Sequence, residues 1–252
     1  MSYKEVVKVW AKRQSTDLLD RFFLKFTYSS IKIDSDETIF RDVETVFKGE
    51  KIIGFKGNKN TIKEIENHKR LCQNLLKLSE ENNAKLSIDL IKQVHHELMK
   101  GCFTEELLLK NEKPGEFKKG DFIVGFHGVG VEPSDVEGDL NSLIKEINGL
   151  EINENNALEV ISYFNCRFHT IHPFADGDGR VGRVLINYLL LGNNLPPIII
   201  FYNDGEYYYL ALEFFKETQE IDKMITFLED QAFKTWCKNY NVKVKSLKDF
   251  LH

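Results

Sequence analysis

The sequence has no apolar run approaching the roughly 18 residues that a membrane-spanning helix needs, and its start, Met1-Ser2-Tyr3-Lys4-Glu5, lacks an apolar signal core. Neither a membrane span nor a secretory leader is expected, and a cytoplasmic location is. Cysteine is sparse: Cys72, Cys102, Cys166 and Cys237 stand far apart without paired spacing, which points to reduced buried thiols rather than a disulfide framework. No internal repeat or low-complexity linker interrupts the 252 residues, so a single unit over 1–252 is expected. Positive charge is not in excess either. The 34 basic and 39 acidic residues are well mixed and sum to −5, a balance that offers no surface for nucleic acid.

Against this background one stretch is dense in chemistry. His172-Pro173-Phe174-Ala175-Asp176-Gly177-Asp178-Gly179-Arg180-Val181-Gly182-Arg183 lies directly before an apolar run at helical spacing, Val184, Leu185, Tyr188 and Leu189. A helix from near 179 to about 191 is expected, stopped by Gly192 and two asparagines. Gly177, Asp178 and Gly179 then fall at its N-terminus, where unpaired N–H groups and the helix dipole favour an anion. Glycines there can form an anion-binding nest that suits a phosphate. Arg180 and Arg183 share a helix face and offer planar forks to phosphate oxygens. Asp176 and Asp178 fit such a place only if a hard cation such as Mg²⁺ bridges them to the phosphates. His172, fixed before a proline, can serve as a general base. A calcium loop is the weaker reading, because Asn187 occupies the position that needs glutamate. A zinc site is weaker still, since neither a cysteine nor a third histidine lies at ligand spacing from His169 and His172.

The stretch resembles the signature of the Fic (filamentation induced by cAMP) family, His-Pro-Phe-x-Asp/Glu-Gly-Asn-Gly/Lys-Arg-x-x-Arg. The departure is Asp178, where the family usually has Asn. The resemblance covers roughly residues 28 to 230 and implies an all-α Fic fold, a multi-helix bundle with a small β-hairpin flap beside the active-site loop. It divides the chain into N-terminal helices over about 1–57, a core over about 58–230 and a C-terminal helix and tail over 231–252.

The activity it implies is transfer of AMP from ATP to a Tyr, Ser or Thr hydroxyl of a target protein, and to the chain itself. On that reading His172 is the base. Gly177, Asp178, Gly179, Arg180 and Arg183 bind ATP, and Asp176 holds Mg²⁺ or Mn²⁺. Ser30-Ile31-Lys32-Ile33-Asp34-Ser35-Asp36 resembles the family's inhibitory segment, with Ser30 in place and Asp34 where the family has Glu. The implied contact is a carboxylate on Arg183, one methylene shorter than usual.

Gly115, Glu116, Phe117 and Lys118 fall where the family has its target-docking flap, within an expected hairpin over 113–126. Family members often have Arg at the place of Lys118. Tyr208 and Tyr209 lie in a run similar to the one that borders adenine. The alternatives are a non-catalytic nucleotide-binding regulator that oligomerises, or a Fic enzyme that removes AMP or transfers phosphocholine. His95 and His96 show no partner in the sequence and are expected to fill core or surface positions.

Overall fold

A computed structural model describes residues 2–12, 16–35, 37–50, 52, 59–121 and 130–237 of the chain. The described residues are helical with no strand. Along the chain run α1 (Tyr3–Ala11), α2 (Thr16–Asp34), α3 (Phe40–Phe47), α4 (Lys59–Glu81), α5 (Ile88–Met99), α6 (Glu105–Leu109) and α7 (Val136–Asn148). They are followed by α8 (Ala157–Ile171), α9 (Asp178–Gly192), α10 (Gly205–Thr218) and α11 (Asp222–Trp236), with a 3₁₀ turn at Tyr202–Asp204 before α10.

α9 is the axis. Its side chains are buried nearly all round, including Val181, Val184, Leu185, Tyr188 and Leu189. A helix that is apolar on every face belongs inside the protein. α8, α4, α5 and α2 all pack on it, so residues at its N-terminus are reached from several distant parts of the sequence. Asn187, halfway along, pairs with a backbone. Its Oδ1 accepts from Ile198 N–H at 2.7 Å and its Nδ2 donates to Ile198 C=O at 3.0 Å, which fixes the extended run after α9.

α8 ends where the sequence forces it to end. Pro173 disfavours α-helical geometry at the preceding residue, and His172 takes left-handed angles, φ 49° and ψ 69°, as the helix cap. Its N–H still donates to Phe168 C=O at 3.0 Å. α2 continues to Asp34, so the segment that resembles the inhibitory one is helical from Ser30 to Asp34. The apolar residues Phe22, Phe23, Phe26 and Ile31 are buried along it, and the Thr27 hydroxyl meets His68 Nδ1 of α4 at 3.0 Å.

The expected hairpin is not seen in full. Residues 113–121 form turns and bends with no strand pairing, and 122–129 lie outside the described residues. Lys113, Glu116 and Lys119 pair with one another as surface charges, with Glu116 3.5 Å from Lys113 and 2.9 Å from Lys119.

Candidate active site

The loop between α8 and α9 carries the site. Gly177 begins α9 at φ 89°, and a Cβ there would stand 2.7 Å from Met99 Sδ. Glycine is therefore required on both conformational and steric grounds. Gly179 follows in the first turn.

His172 is largely covered, its side chain 12% exposed, with Nδ1 3.1 Å from Asp178 Oδ2. The other oxygen of Asp178 accepts from the Phe174 N–H at 3.2 Å. Burial, and then the charge of Lys118, holds the imidazole down at about 4. Burial pushes the Asp178 carboxyl well above the usual carboxylate range.

Asp178 thus stands apart from its expected place among phosphates. Its side chain is 1% exposed and turns inward, where Oδ1 is held by the Phe174 amide while Oδ2 and the nearby His172 Nδ1 make no hydrogen bond. Lys118, expected on a docking surface, is also buried. Its N–H donates to Pro173 C=O at 2.9 Å, and burial lowers the ammonium pKa. Phe117 packs on Phe174 with ring centres 5.7 Å apart, and Lys92 Nζ lies 4.1 Å from the Phe117 ring centre.

The two arginines form the other half. Arg183 is buried and held by α2: Nε donates to Ser30 Oγ at 3.1 Å, and Nη2 donates to Ser30 C=O at 2.7 Å and to Asp34 Oδ2 at 2.6 Å. Arg180 faces three carboxylates, with Asp176 at 3.1 Å, Glu64 at 3.2 Å and Asp34 at 3.6 Å. Burial alone would lower the Arg180 pKa; Asp176, Glu64 and Asp34 more than offset it and raise it. Glu64, from α4, was not singled out in the sequence. Burial is the main cause that raises its pKa. Two guanidinium donors, Arg183 Nη1 and Arg180 Nε, are buried with no hydrogen-bond partner.

The two tyrosines part company. Tyr208 is fully buried, and its hydroxyl meets Asn165 Oδ1 at 3.1 Å and His169 Nε2 at 2.9 Å, so it packs the core behind the site. Tyr209 reaches the site and donates to Asp34 Oδ1 at 3.3 Å.

Comparison with known proteins agrees with this geometry. A family model described as the Fic/DOC family matches residues 85–190. A protein named "Protein adenylyltransferase Fic" from Drosophila mojavensis is 33% identical over 125 residues, covering 48% of this chain and 24% of that protein. The protein of the same name from Drosophila grimshawi is 34% identical over 125 residues, covering 48% and 25%. The chain spans about a quarter of the length of these curated relatives.

A Fic domain containing signaling protein from Bacteroides thetaiotaomicron superposes with a TM-score of 0.79 at 17% identity, covering 93% of each chain. Fic-1 from C. elegans gives 0.74 at 16%, covering 92% of this chain and 69% of that one. At those identities the likeness is one of fold. Motif, family match and fold together support a Fic family protein, with the family match confined to residues 85–190.

Proposed function

We propose that the chain transfers AMP from ATP to a Tyr, Ser or Thr hydroxyl of a target protein, and to itself. The observation that carries the reading is the pair of buried guanidinium donors that make no hydrogen bond, Arg183 Nη1 and Arg180 Nε, the latter 3.6 Å from Asp34 Oδ2, beside the glycine-bounded N-terminus of α9. A buried donor without an acceptor is costly, and phosphate oxygens would satisfy both. His172 supplies the group that such a site would need for chemistry.

Asp176 is the residue that would hold Mg²⁺ or Mn²⁺. Its side chain is 44% exposed, whereas Asp178 is turned inward. A single accessible carboxylate suits Mg²⁺, which binds through one or two carboxylates and takes its other ligands from phosphates and water. When bound, the ion would neutralise phosphate charge.

His172, with Nδ1 toward Asp178, keeps Nε2 for the proton. The acceptor hydroxyl oxygen bonds to the α-phosphorus as the bond from that phosphorus to the β-phosphate oxygen breaks. Pyrophosphate leaves, and the hydroxyl proton passes to Nε2. A neutral imidazole can take that proton, and the nearby polyphosphate charge would raise its pKa toward neutrality. Arg180 and Arg183 fix the phosphates, contributing by position and charge.

Asp34 restrains the reaction in this reading. It stands on Arg183 and near Arg180, where a phosphate would otherwise bind, and Tyr209 braces it. Incubation with α-labelled ATP and Mg²⁺ or Mn²⁺ tests the reading, with wild type, Asp34→Ala and His172→Ala side by side. Label on wild type or on Asp34→Ala, and none on His172→Ala, is the expected result. Silence in all three would overturn it.

A further inference from the structure

His95 and His96, adjacent on α5, grip one peptide unit. His96 Nδ1 meets Pro114 C=O at 3.0 Å, and the Gly115 N–H donates to His95 Nδ1 at 2.8 Å. The carbonyl and the amide belong to the same Pro114–Gly115 bond. His95 continues beyond it: its Nε2 lies 2.9 Å from Asp176 C=O. Because a backbone N–H can only donate, Nδ1 of His95 must accept. The ring proton therefore sits on Nε2 and donates to Asp176.

The ring is fully buried. It stacks on Phe174 with centres 3.7 Å apart and planes at 4°, while Phe103 lies 5.9 Å away. Burial drives the imidazole pKa down to about 3, consistent with a neutral ring that has one donor and one acceptor.

We propose that His95 is a positioning residue that couples the segment at Gly115 to the turn that carries Asp176. A single ring sets the distance between where a target protein would dock and where the metal-bound phosphates would lie. The other ties between the two segments, the Lys118 N–H on Pro173 C=O and Phe117 on Phe174, reach the start of the turn and not Asp176. Gly115 is 20 residues from His95 in sequence and Asp176 is 81, and the described residues after Gly115, 116–121, have no strand pairing to hold them. The inference rests on the proposed function for the roles of the two segments, but the coupling itself can be read without chemistry.

Two half-replacements separate the arms. His95→Asn keeps an oxygen near the place of Nδ1 to accept from Gly115 and leaves nothing to reach Asp176. His95→Gln extends an amide N–H toward Asp176 and gives up Gly115. His95→Phe keeps the stacked ring and loses both bonds.

Hydrogen exchange by mass spectrometry on the full chain is the first measurement, followed by calorimetry of ATP with Mn²⁺. The expected result for Asn is faster exchange in 174–178 and about tenfold weaker nucleotide binding, the size of one lost hydrogen bond, with 113–119 unchanged. For Gln the expected result is faster exchange in 113–119 only, with nucleotide binding kept and, where AMP transfer is observed, a raised KM for the acceptor at unchanged kcat. For Phe, both segments should loosen.

If Phe behaves as wild type, or if Asn and Gln loosen both segments equally, His95 only fills the core and the proposal is wrong. If the exchange split appears while no variant or wild type transfers AMP, the coupling stands and the activity reading fails.

Discussion

The two halves of the site are held by different kinds of neighbour. At the His172 end the side-chain partners come from within the motif, Asp178 six residues on and the Phe174 amide between them, and only the Lys118 N–H on Pro173 C=O comes from another part of the chain. That end is nearly neutral and buried. At the arginine end the partners come from far away. Ser30 and Asp34 lie on α2, 153 and 149 residues from Arg183, and Glu64 reaches Arg180 from α4. That end is charged and partly open, with the Asp34 side chain 26% exposed. The half with distant partners can be regulated, because a helix can move without dismantling the loop. The half with local partners is tied to the loop's own fold.

The largest expected effect falls on the local half. His172→Ala should lower AMP transfer by about 10²–10⁴-fold, the usual share of a general base, while calorimetry finds nucleotide binding retained. Transfer at the wild-type rate would place the base elsewhere.

On the distant half, Asp34→Ala removes the carboxylate from a buried guanidinium. Because Asp34 is itself partly exposed, the expected loss is about 1–3 kcal/mol of unfolding free energy rather than the full cost of breaking a buried pair. ATP or inorganic tripolyphosphate should recover it, so the rise in Tm on adding either should be larger for the variant than for wild type. Equal rises would mean that Asp34 and the polyphosphate do not compete.

A third test uses pH. His68, His95 and His169 are held at about 3 and His172 at about 4, with burial the first cause in each. Their contribution is fully present above the unfolded value of about 6.5. It is lost progressively as pH falls from there through the folded values, since the unfolded chain binds the protons first. The urea midpoint should therefore fall between pH 7 and pH 4. A flat midpoint over that range would show that these rings are not buried as neutral groups.

The smallest effect is expected from Asp178→Asn. Its side chain faces His172 and not solvent, so the metal concentration needed for nucleotide binding should not change. A clear shift would place that carboxylate among the metal ligands.

These contrasts also explain what could be read in the sequence. The helices α4, α5, α8 and α9 follow from apolar spacing and from breakers such as Pro173 and Gly101, which act over one or two turns. The clustering of His172, Asp176, Arg180 and Arg183 is legible because they share one loop and one helix turn. Asp34 could be placed only by resemblance, since no periodicity links it to Arg183. Glu64 has no mark in the sequence, and His95 shows none beyond a core or surface position, for a related reason. Their partners are a side chain and two backbone groups contributed by other elements, and a sequence carries no local mark of either. For Asp178, adjacency to glycines suggests a phosphate, whereas the sharp turn after Pro173 aims the side chain back at the ring. Tyr208 and Tyr209 differ by one position and about 100° of helix, enough to put one in the core and the other in the site.

The left-handed cap at His172 makes the aim of this residue a matter of counting. The ring leaves the chain at the point where α8 runs out, and α9 starts six residues later. One residue inserted anywhere in α8 would turn that exit by about 100° around the helix axis and advance it by about 1.5 Å. No substitution within the loop could bring it back. Insertions should therefore be tolerated in the mostly exposed connection before α8, residues 149–156, and excluded from α8 itself, even at exposed positions with no contact to the site.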